Sequence, residues 1–104
     1  MTEHDIQNSI KIALTPHAIV FRVNVGSGTT KDGRYFSTGV PPGFPDLFGF
    51  RLSDAKIFFI EVKKPGGKIR PQQQHFIELM QSYGAIAGIC YTPEAALKLI
   101  LEDN

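Results

Sequence analysis

Two apolar runs, Leu47-Phe48-Gly49-Phe50 and Ile57-Phe58-Phe59-Ile60, flank the turn-forming Ser53-Asp54-Ala55 and constrain this chain more than any other stretch. Aromatic and β-branched residues dominate both, and both are too short for ordinary helices, so residues 46–52 and 56–63 read as adjacent strands. Pro45-Asp46 opens the first strand and Glu61-Val62-Lys63 closes the second. Strand alternation puts Phe59, Glu61 and Lys63 on one face and Phe58, Ile60 and Val62 on the other. Two acidic side chains and a lysine thus stand at the ends of two apolar strands.

The remaining elements follow from capping and periodicity. Thr2-Glu3-His4-Asp5 has the form of a capping box, and residues 3–14 read as a helix with Ile6, Ile10, Ala13 and Leu14 on its apolar stripe. Glu3 and Gln7 fall inside that stripe. An inward carboxylate is costly unless it is paired, hydrogen-bonded or bound to a cation; the competing reading is a solvated Glu3 in a frayed first turn. Pro16 ends the helix, and residues 19–25 read as a strand with Arg22 and Asn24 on one face. Residues 26–45 hold five Gly and three Pro, longer than an ordinary connection. Asp32-Gly33 suggests a small hairpin there, a flap carrying Lys31, Arg34 and Tyr35. Gly26-Ser27-Gly28 lacks the third glycine and following helix of a dinucleotide site, so no organic cofactor is expected. After the basic break Lys64-Pro65-Gly66-Gly67-Lys68, Pro71 leads a helix over 72–83 with Phe76, Ile77, Met80 and Tyr83 buried and Gln73 on the same stripe. Local backbone bonding at the helix start is the competing reading for Gln73. Residues 85–91 are continuously apolar, as in a strand that is central or buried on both faces. Thr92-Pro93 caps a last helix to about residue 102, with Ala96, Leu97, Ile100 and Leu101 inward. The expectation is one α/β domain over residues 1–104, in αβββαβα order with a mixed four-stranded sheet flanked by helices.

Composition narrows the function classes. The single cysteine, Cys90, excludes a disulfide framework and a Cys-based zinc site, and favours a reducing, cytoplasmic setting. No stretch approaches the ~18 apolar residues of a membrane span, so no membrane partner is expected. A net charge of +1 offers no global field for nucleic acid. Any such contact must be local, through Lys31 and Arg34 in one loop and Lys63, Lys64, Lys68 and Arg70 in another. Ordinary solvated charge is the alternative for both clusters.

Phosphodiester hydrolysis calls for a hard cation with oxygen ligands, and Asp46 and Glu61 can supply two. The backbone carbonyl of Val62 is a candidate third. Lys63 could orient or deprotonate the attacking water, or balance developing negative charge. Glu3 could complete the shell directly or through water. Gln7 and Gln73 would then bond the lysine, a ligand or the phosphate from the next layer.

Pro45-Asp46 with Glu61-Val62-Lys63 resembles the PD-(D/E)xK nuclease motif, and the element order is similar to that superfamily's restriction-endonuclease-like core. More narrowly, five ordered elements resemble the virus-type replication and repair nuclease domain, the VRR-NUC family. They are Glu3 with Ile6-Gln7, Arg22-Val23-Asn24, Gly43-Phe44-Pro45-Asp46-Leu47, Phe59-Ile60-Glu61-Val62-Lys63, and Pro71-Gln72-Gln73 with Phe76. Arg70, before Pro71, departs from the small capping residue often found there. The resemblance implies a Mg²⁺- or Mn²⁺-dependent endonuclease acting on DNA. It also implies a stand-alone, phage-type homodimer that cuts branched structures such as four-way (Holliday) junctions in replication, recombination or repair, in the host cytoplasm if phage-encoded. A flap or restriction-type nuclease and a non-catalytic nucleic-acid-binding module are the alternatives. Intact Asp46, Glu61 and Lys63 count against the last.

Overall fold

The structure is a computed structural model that describes residues 1–23, 27–37 and 39–102. Helix α1 (Glu3–Leu14) starts where the capping box places it. The Thr2 hydroxyl accepts from the Asp5 N–H at 3.1 Å, and the Asp5 carboxylate accepts from the Thr2 N–H at 2.9 Å. Ile6, Ile10 and Leu14 enter the core and Ala13 is half-buried. A tight reversal after Leu14 leads into strand β1 (Ala18–Arg22). The expected continuation of this strand through Asn24 and Val25 lies outside the described residues. The hairpin anticipated at Asp32-Gly33 joins β2 (Ser27–Thr29) to β3 (Tyr35–Ser37), and Gly33 takes the φ of +88° that its turn requires.

Strands β4 (Leu47–Arg51) and β5 (Ile57–Val62) form the antiparallel pair, with Leu47 opposite Ile60 and Phe50 opposite Ile57. Asp54 fixes their turn by accepting from the Lys56 N–H at 3.1 Å and from Arg51 Nε at 3.0 Å. Arg51 is buried and also donates to the Ile100 carbonyl at 2.7 Å, which ties the turn to the last helix. Helix α2 (Pro71–Ser82) then crosses back so that β6 (Ile86–Cys90) lies parallel to β5, and α3 (Pro93–Glu102) follows. The result is a mixed four-stranded sheet in the order β1-β4-β5-β6, flanked by three helices.

Alternation along β5 builds two cores. Phe58, Ile60 and Val62 join Leu47 and the buried stripes of α1 and α3, and each such burial contributes roughly 1.5–3 kcal/mol. Phe59 faces the other way, packing with Ile77, Ala87, Phe44, Phe48, Phe76 and Met80 beneath α2. That helix contacts β5 and β6 but leaves the β1–β4 half of its face uncovered, so Ile19, Phe21, Phe50 and Ile57 are 41 %, 46 %, 38 % and 44 % exposed. All three helices begin at one end of the sheet, where β4 starts and β5 and β6 finish. No helix among the described residues is long and apolar enough to cross a membrane.

The apolar run of β6 is an edge strand covered on one face by α2 and on the other by α3, so of its two readings, central or buried on both faces, the second holds. Two details differ from expectation. Tyr83 is 78 % exposed because helical geometry ends there, at φ −89° and ψ 0°, before its side chain can turn inward. Leu101 is 50 % exposed, while Leu97 and Leu99 pack against the core.

The β1–β4 contact depends on a missing side chain. A Cβ on Gly49 would lie 1.9 Å from the Ile19 carbonyl oxygen and 3.0 Å from the Phe58 ring. Gly49→Ala should therefore lower the unfolding free energy by about 3 kcal/mol in urea titration. Wild-type stability in that variant would contradict this packing.

Candidate active site

The β4–β5 ladder ends at Leu47 and Ile60. One residue further out, side chains take over from backbone. The Asp46 N–H donates to Glu61 Oε1 at 3.3 Å, and the Val62 N–H donates to Asp46 Oδ2 at 3.0 Å. From the other side the Val23 N–H donates to the Asp46 carbonyl at 2.8 Å, so three strands fix this residue. Glu61 is 2 % exposed. Burial, then the hydrogen bond and negative charge of Asp46, push its carboxyl up to about 8, against the opposing pull of Lys63 and the Asp46 N–H. Two carboxylates held together, Glu61 buried and Asp46 half-buried, offer only oxygen donors and fit a hard divalent cation, which would relieve both the repulsion and the desolvation cost of Glu61.

Lys63 is 7 % exposed, and its N–H extends the β5–β6 pairing by donating to the Cys90 carbonyl at 3.1 Å. Among the described residues the ion pairs are Arg34–Asp32 and Arg51–Asp54, so Lys63 belongs to neither. Its side chain runs past Gly67. A Cβ there would lie 3.6 Å from Lys63 Cδ and 3.2 Å from Glu3 Oε2, so both side chains flank this glycine, though no ion pair among the described residues joins them. Glu3 thereby reaches the strand end from the α1 side of the sheet. It does not complete a three-acid cluster, since no group of three His, Cys, Asp or Glu able to hold a metal occurs among the described residues. Gln7 lies one turn along α1 from Glu3 and is half-buried.

Gln73 serves the helix start. Its Oε1 accepts from the Arg70 N–H at 2.9 Å, the N3-to-N-cap half of a capping box; the Arg70 side chain, which has no acceptor, cannot supply the reciprocal half. Gln73 also lines a cavity of about 210 Å³ with Asp46, Pro42, Gly43, Phe44, Arg70 and Gln72, leaving its NH₂ as the group able to donate there. Gly43 closes this cavity and was not among the expected site residues. It takes φ +91°, and a Cβ on it would lie 2.7 Å from the Gln72 carbonyl oxygen. Only glycine lets the loop that carries Asp46 rest on the start of α2, and its place three residues before Asp46 is the signal that could have revealed it.

Of the expected nucleic-acid contacts, Lys64, Lys68 and Arg70 are exposed beside this cavity on the β5–α2 connection. Lys31, Arg34 and Tyr35 are exposed on the β2–β3 hairpin, where Asp32 sits 3.3 Å from Arg34 Nε and offsets its charge. On the β1 side, Arg22 NH1 lies 3.0 Å from His4 Nδ1. A second cleft, about 640 Å³, opens at the opposite end of the sheet beside Lys56, Gln81, Lys98 and Glu102 and lacks the acid pair.

Comparison with known families matches the VRR-NUC domain over residues 5–93, a span that includes Asp46, Glu61, Lys63 and Gln73 and begins just after Glu3. A solved structure described as a VRR_NUC domain is 23 % identical, with a TM-score of 0.66 and 96 % of each chain covered, which shows the shared fold. The comparison with curated proteins yields no match.

The acid pair sets a pH signature in the metal-free protein. Folding favours the protonated form of Glu61, so the stability it contributes is complete below its ordinary value of 4.5 and is lost as pH rises through about 8. In EDTA, the urea midpoint should fall between pH 5 and pH 8.5, and Glu61→Gln should flatten that fall and raise the midpoint at pH 8.5. Parallel profiles for the two proteins would contradict the shared-proton geometry.

Proposed function

The chain belongs to the VRR-NUC domain family, a nuclease family, and on that premise we propose that it is a Mg²⁺- or Mn²⁺-dependent endonuclease that hydrolyses phosphodiester bonds in branched DNA such as four-way junctions. The observation that carries this reading is the pairing of half-buried Asp46 with buried Glu61 at the β4–β5 end, with buried Lys63 two residues on. Asp46, Glu61 and the Val62 carbonyl would hold the ion, which when bound neutralises the phosphate and acidifies a water. Lys63 orients the attacking water and balances the negative charge that builds on the phosphoryl oxygens. Glu3, which flanks Gly67 together with Lys63, adds negative charge near the ammonium, and Gln73 offers its NH₂ to a phosphate oxygen. Lys64, Lys68 and Arg70 hold the flanking backbone, with Lys31, Arg34 and Tyr35 of the hairpin as outer contacts.

Cutting both strands of a symmetric junction takes two sites, and one chain supplies one; the reading therefore includes a homodimer. The uncovered Ile19, Phe21, Phe50 and Ile57 support it, since apolar residues gathered on half a sheet face are the usual core of a self-complementary contact. A cytoplasmic setting accords with Cys90, whose thiol burial pushes up to about 11, away from thiolate chemistry.

Labelled linear, flap and four-way-junction DNA should be cut with Mg²⁺ or Mn²⁺ and left intact with Ca²⁺ or EDTA. Asp46→Ala, Glu61→Ala and Lys63→Ala should each lower the rate by about 10³-fold or more, with metal-free thermal stability equal or higher. Full activity in Asp46→Ala would sink the mechanism, and junction binding without cutting under every condition would favour the binding-module alternative. Light scattering should give a dimer, and Phe21→Glu a folded monomer; a monomeric wild type removes the dimer.

A further inference from the structure

The first turn of α1 lies against the site. Glu3 and Lys63 flank Gly67, and the residue after Glu3, His4, meets Arg22 at the end of β1. Arg22 stands opposite Leu47 in the β1–β4 register, and the following N–H, that of Val23, holds the Asp46 carbonyl. The Arg22 guanidinium therefore springs from the strand beside the acids, on the flank away from Arg70 and Gln73.

The chemistry of the contact fixes its polarity. Arginine only donates, so the ring nitrogen 3.0 Å from NH1 is the acceptor. NH1 is 3.5 Å from Nε2, the weaker of the two approaches. With Nδ1 accepting, the neutral ring carries its proton on Nε2. Among the described residues no other partner engages Arg22, so Nε and the second amine of its fork are available to a ligand. Both side chains are exposed. An exposed arginine held by a neutral histidine keeps its full charge while losing rotamer freedom, as a preset anion contact requires.

We propose that Arg22, oriented by His4, binds a DNA backbone phosphate next to the one held at Asp46 and Glu61, on the β1 side. The inference rests on the nuclease reading, because it is that reading which brings a phosphodiester backbone across the strand ends. With Arg70, Lys68 and Lys64 on the α2 side and Arg22 on the β1 side, a strand crossing the acids meets a cation on either flank. Arg22 supplies the charge; His4 is a positioning residue that acts through it.

Salt dependence separates these roles. Each phosphate neutralised by a cation contributes about 0.9 to the slope of log K against log [salt] on duplex DNA. The test measures binding of a fluorescent four-way junction across a KCl series at fixed Ca²⁺. Arg22→Ala should weaken binding by about 10-fold and make the slope shallower by about one phosphate contact. Arg22→Lys should restore the slope and only part of the affinity. His4→Ala should weaken binding by about 3-fold at unchanged slope, and add nothing when combined with Arg22→Ala. Circular dichroism melting should be equal for all, since both side chains are exposed. A wild-type slope in Arg22→Ala overturns the phosphate contact while leaving the nuclease reading in place. Full additivity of the two variants overturns the positioning role. A wild-type protein that neither binds nor cuts the junction overturns the nuclease reading and this inference together.

Discussion

Two carboxylates that repel one another are held side by side because each closes a backbone gap left where a sheet runs out. Beyond Leu47 and Ile60 the β4–β5 ladder has no further rung, and the Asp46 and Val62 N–H groups would face a buried strand end unpaired. Glu61 accepts from the first and Asp46 from the second. The arrangement is costly only in charge, since its hydrogen bonds are satisfied. That cost is what raises Glu61, and it is also why the strand end suits a cation. Structure and chemistry here are the same set of bonds.

Around that pair the chain brings backbone, more than side chains, into contact. Gly43 lets the loop before Asp46 rest on Gln72, and Gly67 lets the β5–α2 connection lie between Glu3 and Lys63. A methyl group at Gly43 would meet the Gln72 backbone at 2.7 Å and push the start of α2 away from Asp46. The site is therefore as much a matter of where side chains are omitted as of which ones are present.

Much of this could be read in advance because the signals were local and redundant. The Thr2–Asp5 box fixed the start of α1, and the alternation of Phe58, Phe59, Ile60 and Glu61 fixed which face of β5 met which core. Gln73 was legible both as an inward residue and as one bonding local backbone at the helix start, and its bond to the Arg70 N–H is the second of these. Tyr83 misled because periodicity continues through a residue where the helix has already stopped. The apolar run of β6 told of two covered faces but not of its place at the sheet edge, because a helix on each face buries a strand whether or not it has a second neighbour. The His4–Arg22 contact joins residues eighteen positions apart on a helix and a strand, and no spacing rule predicts such a crossing.

The common origin of the three helices at one end of the sheet has its own consequence. Each helix start carries about half a positive charge from its aligned peptide groups, felt within the first turn. A chain with a net charge of +1 thus presents, at the strand ends alone, a polarity that side-chain composition does not reveal. Peptide dipoles do not titrate and cannot be removed by exchanging one residue for another. The fold is an electret whose positive pole is built into its connectivity, and it persists through every change of pH and every substitution that leaves the helices standing.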